Sequence, residues 1–165
     1  MDRRTVLILT LLAAGISSIS LALLWPESDE ERIATMLGEL ADAIGFSEPI
    51  ENPVFYGSAL ANRLEDYLTE QVRVDVHDVR AKVPSDRGQM AMAAAMALAR
   101  YGSLDVTLSD VSIQMEGDGA QASAEARVIA NEAGQMRSES RRVHFVISKE
   151  GGDFKVSSVR AGDPE

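Results

Sequence analysis

The chain has 165 residues, no cysteine and a formal net charge of −10. Beyond the first roughly 25 residues there is room for one domain of ordinary size and no second core. That remainder, residues 27–165, carries −11, because Asp2, Arg3 and Arg4 together contribute +1. Such a balance excludes nucleic acid as a partner, since a polyanion would be repelled and no basic stripe with interleaved aromatics is present. It also disfavours anionic lipid surfaces for the domain itself. The missing cysteines remove disulfides, thiolate metal sites, a catalytic thiol and a lipidated N-terminal cysteine.

Met1-Asp2-Arg3-Arg4 precedes an uncharged run of 21 residues, Thr5 to Trp25. As a helix this run would span a hydrocarbon core of about 30 Å. Arg3 and Arg4 lie before it, and Glu27, Asp29, Glu30 and Glu31 after it. The positive-inside bias therefore predicts a cytoplasmic N-terminus and a domain outside, periplasmic or extracellular, with Trp25 as interfacial anchor and Pro26 ending the helix. Residues 1–26 read as anchor and residues 27–165 as the domain. The alternative is a cleaved signal peptide with Ser20-Leu21-Ala22 at the processing site, which would leave Leu23-Leu24-Trp25 as an exposed apolar terminus.

Ser28 and Glu31 form a capping box, after which Ile33, Met36, Leu37, Leu40, Ala41 and Ile44 recur at helical spacing up to Gly45. Asn52-Pro53 opens a second helix with Leu60, Leu64, Tyr67 and Leu68 on one stripe. From Val72 to Val83 the period becomes two, with a slip of phase near His77-Asp78 that predicts a bulge. A third helix runs from Pro84-Ser85 to Gly102, and its stretch Met90 to Ala99 holds no charge on any face. A helix apolar all round is deeply buried or covered by a partner.

Four strand segments follow: Leu104 to Met115, Gln121 to Ala130, Met136 to Ser148 and Phe154 to Arg160. Between them lie Gly117-Asp118-Gly119, Ala133-Gly134 and Gly151-Gly152, which are hairpin turn sequences, so the four form an antiparallel meander. Leu104, Val106 and Leu108 share one phase and Val111, Ile113 and Met115 the other, which predicts a second bulge near Ser109-Asp110 that curls the sheet.

The predicted fold is α+β: an N-terminal transmembrane helix, then three helices packed in a curved antiparallel sheet. This element order from Ser28 to Arg160, with the turns Tyr101-Gly102-Ser103 and Glu150-Gly151-Gly152-Asp153-Phe154-Lys155-Val156, resembles the nuclear transport factor two-like, or SnoaL-like, superfamily. The resemblance implies a cone with a pocket between bent sheet and helices. Some relatives use the pocket for isomerase, dehydratase or cyclase chemistry, and others serve as binding or dimerisation modules. Membrane-anchored relatives include periplasmic assembly subunits of secretion machines.

Acid-base work in such a cone needs Asp, His or Tyr in an apolar cavity. His77, between Asp75 and Asp78 at the first predicted bulge, is one candidate, against the ordinary reading of a solvated strand residue. His144 is the other: it is out of phase with Val143, Phe145 and Ile147, shares a side with Arg142, and has Ala122, Ala124 and Ala126 as prospective neighbours. Its ordinary reading is also a solvated strand position. These are the only two histidines, so a His-rich metal site is excluded, and no cofactor motif is present. Arg137, Arg141 and Arg142 form the one dense basic group, for which cross-strand pairing with carboxylates is the plain account.

No constellation of catalytic groups stands out, so the expected function is a membrane-tethered interaction or assembly domain without catalysis. The alternative is an anchored small-molecule-binding protein or a SnoaL-like isomerase or dehydratase. A protein partner or a homodimer is expected. Ala122, Ala124, Ala126, Val128 and Ala130 make one small apolar face, and Gln121, Ser123, Glu125 and Arg127 make a polar one. With the apolar face inside, Glu125 and Arg127 could pair across a two-fold axis; with it outside, a flat apolar surface would need another protein to cover it, so either arrangement permits a dimer and only the second demands one.

Overall fold

The computed structural model describes residues 27–76 and 85–162. The anticipated anchor with Arg3, Arg4 and Trp25, and the anticipated bulge with His77 and Asp78, lie outside them. Among the described residues, no helix is long and apolar enough to cross a membrane.

Helix α1 spans Asp29–Ile44 and starts as the sequence predicts. Glu31 N–H donates to Ser28 Oγ at 3.2 Å, and Ser28 N–H donates to Glu31 Oε2 at 2.9 Å. Asp29, Glu30 and Glu31 also place negative charge on the positive end of the helix dipole. Ile33, Met36, Leu37, Leu40 and Ala41 are buried along one stripe. Helix α2 spans Pro53–Leu64, with Asn52 Oδ1 accepting from Val54 and Phe55 N–H at 3.1 Å each.

Strand β1 covers Leu68–Val76. It thus takes Leu68, anticipated on the second helix, and begins four residues before the period-two run. Helix α3, Arg87–Leu98, is shorter than the sequence suggests. Asp86 caps it, accepting from Gln89 N–H at 2.8 Å, and Gly102 belongs to the following strand. The helix is not deeply buried: only Ala91 and Ala95 are enclosed, while Met96 is 63% exposed.

Strands β2 (Tyr101–Glu116), β3 (Gly119–Glu132), β4 (Gln135–Glu150) and β5 (Asp153–Ala161) form the expected antiparallel meander. The β4–β5 turn has φ of +64° and +101° at Gly151 and Gly152, which glycine adopts without steric cost. The second bulge falls where phase predicts it: β2 slips against β3 between Ser109 and Ser112, with Asp110 at φ +50°.

The sheet order is β1-β5-β4-β3-β2, and β1 runs parallel to β5. The sheet is therefore mixed rather than wholly antiparallel. A parallel neighbour requires a crossover, here the chain from β1 through α3 and the whole meander, and no local pattern encodes it.

Three helices pack against one face of this sheet. The core joins Ile33 and Leu37 of α1, Leu60 of α2, Val72 of β1 and Val156 of β5, all at most 1% exposed. Phe46 and Leu104 exchange two backbone hydrogen bonds of 2.8 Å, which ties the end of α1 to β2.

Candidate functional site on the outer sheet face

Alternation along the strands separates two faces. Ala120, Ala122 and Ala124 of β3 and Val143, Phe145 and Ile147 of β4 are buried against the helices. The small apolar face is thus the inner one, and its alanines leave space that the helices fill. Among the described residues no charged side chain is buried, and Thr69 is the one buried polar residue. Its hydroxyl donates to Gln71 O at 2.7 Å. The Tyr56 hydroxyl is also enclosed and has no hydrogen-bond partner.

His144 is on the opposite, outer face and is exposed. Its cross-strand neighbours are Ser123 and Arg160, so the alanines anticipated beside it are behind the sheet. Ser123 pairs with Ser112, and Arg160 with Asp75. One row therefore crosses all five strands as Ser112, Ser123, His144, Arg160 and Asp75. At about 4.8 Å per strand it is about 19 Å wide. The adjacent row is Gln114, Gln121, Val146, Ser158 and Arg73. Together their central members line an open groove of about 570 Å³.

Of the anticipated site residues, His144 and Asp75 are brought into one row but not into the cone. Asp75 Oδ2 lies 3.8 Å from Arg160 Nε, with both side chains largely in water. Strand alternation divides the basic cluster, Arg137 and Arg141 falling on one phase of β4 and Arg142 on the other. Arg137 Nε is 3.3 Å from Glu132 Oε2, and Arg141 pairs with Glu139. Arg142 stands opposite Glu125. Sequence reasoning missed Arg160, Ser158 and Ser112, since a row across a sheet is set by register, and register depends on bulges.

A second hollow, of about 350 Å³, lies between α1 and the β4–β5 turn and is lined by Arg32, Glu39, Asp66, Tyr67 and Phe154. Partial burial, then the negative charges of Glu39, Asp66 and Asp42, push the Tyr67 phenol above its usual 10.0. A neutral phenol is a hydrogen-bonding group there and not a base at neutral pH. Among the described residues no three His, Asp or Glu side chains gather as metal ligands.

No family profile matches the chain, and no curated protein matches it significantly in sequence. Solved structures do. An NTF2-like protein with a cystatin-like fold from Novosphingobium aromaticivorans has a TM-score of 0.59 at 18% identity, over 93% of this chain and 88% of the other. A candidate dehydratase of the NTF2-like family from Streptomyces avermitilis gives 0.63 at 17%, over 85% and 99%. A candidate aromatic ring hydroxylase from N. aromaticivorans gives 0.67 at 14%, over 86% and 92%. The chain has the NTF2-like cone fold: three helices and a curved mixed sheet. At these identities the likeness defines the fold and not the chemistry.

Proposed function

We propose that this chain is a membrane-tethered interaction domain, held outside the cytoplasm by the Thr5 to Trp25 span, that binds a second copy of itself through the outer face of its sheet. The observation that carries this reading is the division of polarity between the two sheet faces. Facing the helices, the described central rows offer Ala, Val, Phe and Ile, none of which can move a proton. Facing outward, Ser, Gln, His and Arg side chains cross the sheet around a groove with the half-exposed Val146 at its centre. Apolar centre and polar rim are what a protein interface needs. Glu125 and Arg127, both on this face, supply opposite charges that a two-fold axis can set against each other.

A second reading, binding or transforming a small molecule inside the cone, has two supports. Solved proteins of the same fold include candidate dehydratases, and the unpaired hydroxyl of Tyr56 is a polar group enclosed by the protein.

The location is tested by fusing, after Glu165, a reporter active only outside the cytoplasm. Signal is expected; activity of a cytoplasm-only reporter instead would reverse the orientation, and a soluble product starting at Leu23 would replace the anchor with a cleaved signal. The mass of the detergent-solubilised full chain should be that of a dimer in the micromolar range, and a strict monomer would remove the homodimer.

A further inference from the structure

The groove and the row described above leave the helical side of the molecule unexplained. There, three large apolar side chains stand in water: Val54 at 61% exposure, Phe55 at 76% and Met96 at 63%. Val54 and Phe55 occupy the first turn of α2, and Met96 the last turn of α3. The two helices run antiparallel. Arg87, at the start of α3, is 3.8 Å from Glu65, just past the end of α2, and Gly57 lies against Met92. The first turn of α2 is consequently level with the last turn of α3, and the three side chains belong to the same end of one helix pair. Phe55 alone of the three borders a groove of about 540 Å³ between the segment that follows α1 and helix α2, lined also by Glu48, Pro49, Ile50, Glu51 and Tyr56, among others. Its lining includes two exposed carboxylates and no lysine or arginine. Arg63 stands over the ring of Tyr56, one of the lining residues, at 5.4 Å.

We infer that this groove receives an amphipathic helical segment of another protein, apolar on the face it buries and lysine- or arginine-rich on its flanks. Two alternatives meet specific obstacles. A second copy meeting this groove about a two-fold axis would bring its own Glu48 and Glu51 against the same charges. An anionic bilayer surface is repelled by those carboxylates. A basic amphipathic helix meets neither obstacle: its apolar residues cover Phe55 and Ile50, and its cations meet Glu48 and Glu51. This surface is on the helical side, away from the sheet face assigned to self-pairing, and the inference does not depend on that pairing.

The test uses the full chain in nanodiscs of zwitterionic lipid, with empty nanodiscs as background. Two fluorescent synthetic helices share a leucine stripe, one flanked by lysines and the other by glutamates. The lysine-flanked peptide should bind saturably, and the glutamate-flanked one about tenfold or more weakly. Phe55→Ser and Glu51→Lys should each reduce binding by about tenfold. Both positions are exposed, so the thermal midpoint should stay near that of the parent; should Phe55→Ser fail to fold, the charge reversal at Glu51 still decides. Equal binding of the two peptides, or binding indifferent to Glu51→Lys, would overturn the inference. So would self-association that Phe55→Ser abolishes, which would give the surface to a second copy.

Discussion

Asp75 on β1 and Arg160 on β5 face each other across the parallel edge of the sheet, their Oδ2 and Nε 3.8 Å apart at the end of the row that contains His144. Both side chains are mostly solvated, at 66% and 73% exposure, so water screens the pair and the long arginine gives up rotamer freedom to make it. Such pairs contribute little. Asp75→Asn should change the free energy of unfolding by less than about 0.5 kcal/mol. A urea titration measures this, and a loss of several kcal/mol would mean that Asp75 serves a buried network instead.

The two faces of β4 make a sharper contrast. Phe145 fills the core at 6% exposure, and its neighbour His144 is in water. Phe145→Ala should cost about 3–5 kcal/mol through lost burial and the cavity left behind. His144→Ala should cost within about 0.5 kcal/mol. Comparable losses from both would contradict the assignment of faces.

Two helix glycines should respond in opposite directions to a side chain. Around Gly38 of α1 a Cβ would meet nothing within 4 Å, so Gly38→Ala gains helix propensity without cost and should stabilise by about 0.5–1 kcal/mol. At Gly57 of α2 a Cβ would lie 2.9 Å from Met92 Sδ and 3.2 Å from Met92 Cα. The sulfur can swing away, but the backbone of α3 cannot. Gly57→Val should therefore destabilise by about 1–3 kcal/mol through overpacking. Denaturant midpoints of the two variants report the signs directly.

Much of this architecture is legible in the sequence because it is local. The Ser28 and Glu31 capping box, the Asn52 cap, the three hairpin turns and the Ser109-Asp110 bulge each depend on residues a few positions apart. What was not legible depends on distant contacts. The face of β4 that meets the helices could not be read from Val143, Phe145 and Ile147 alone, since His144 would alternate with them whichever side was covered. Helix α3 gave no signal of its exposed side because alanine and methionine recur all round it; the packing of Ala91 and Ala95 selects the buried stripe. The parallel seating of β1 beside β5 joins residues such as Asp75 and Arg160 that lie more than eighty positions apart. The row around His144 emerges only when that register is known.

The proposal that the outer sheet face is the pairing surface is tested most directly by disulfide cross-linking of the full chain in expressing cells. Having no cysteine of its own, the chain allows one to be placed at Gln121, Ser123, Glu125 or His144 on the outer face, and at Ala124 on the inner face as a control. Under mild oxidation at least one outer-face variant should form a band of twice the monomer mass, concentrated at the positions nearest the two-fold axis, while Ala124→Cys should form none. Absence of cross-linking from every outer-face position, or cross-linking through Ala124 as readily as through Ser123, would contradict the account.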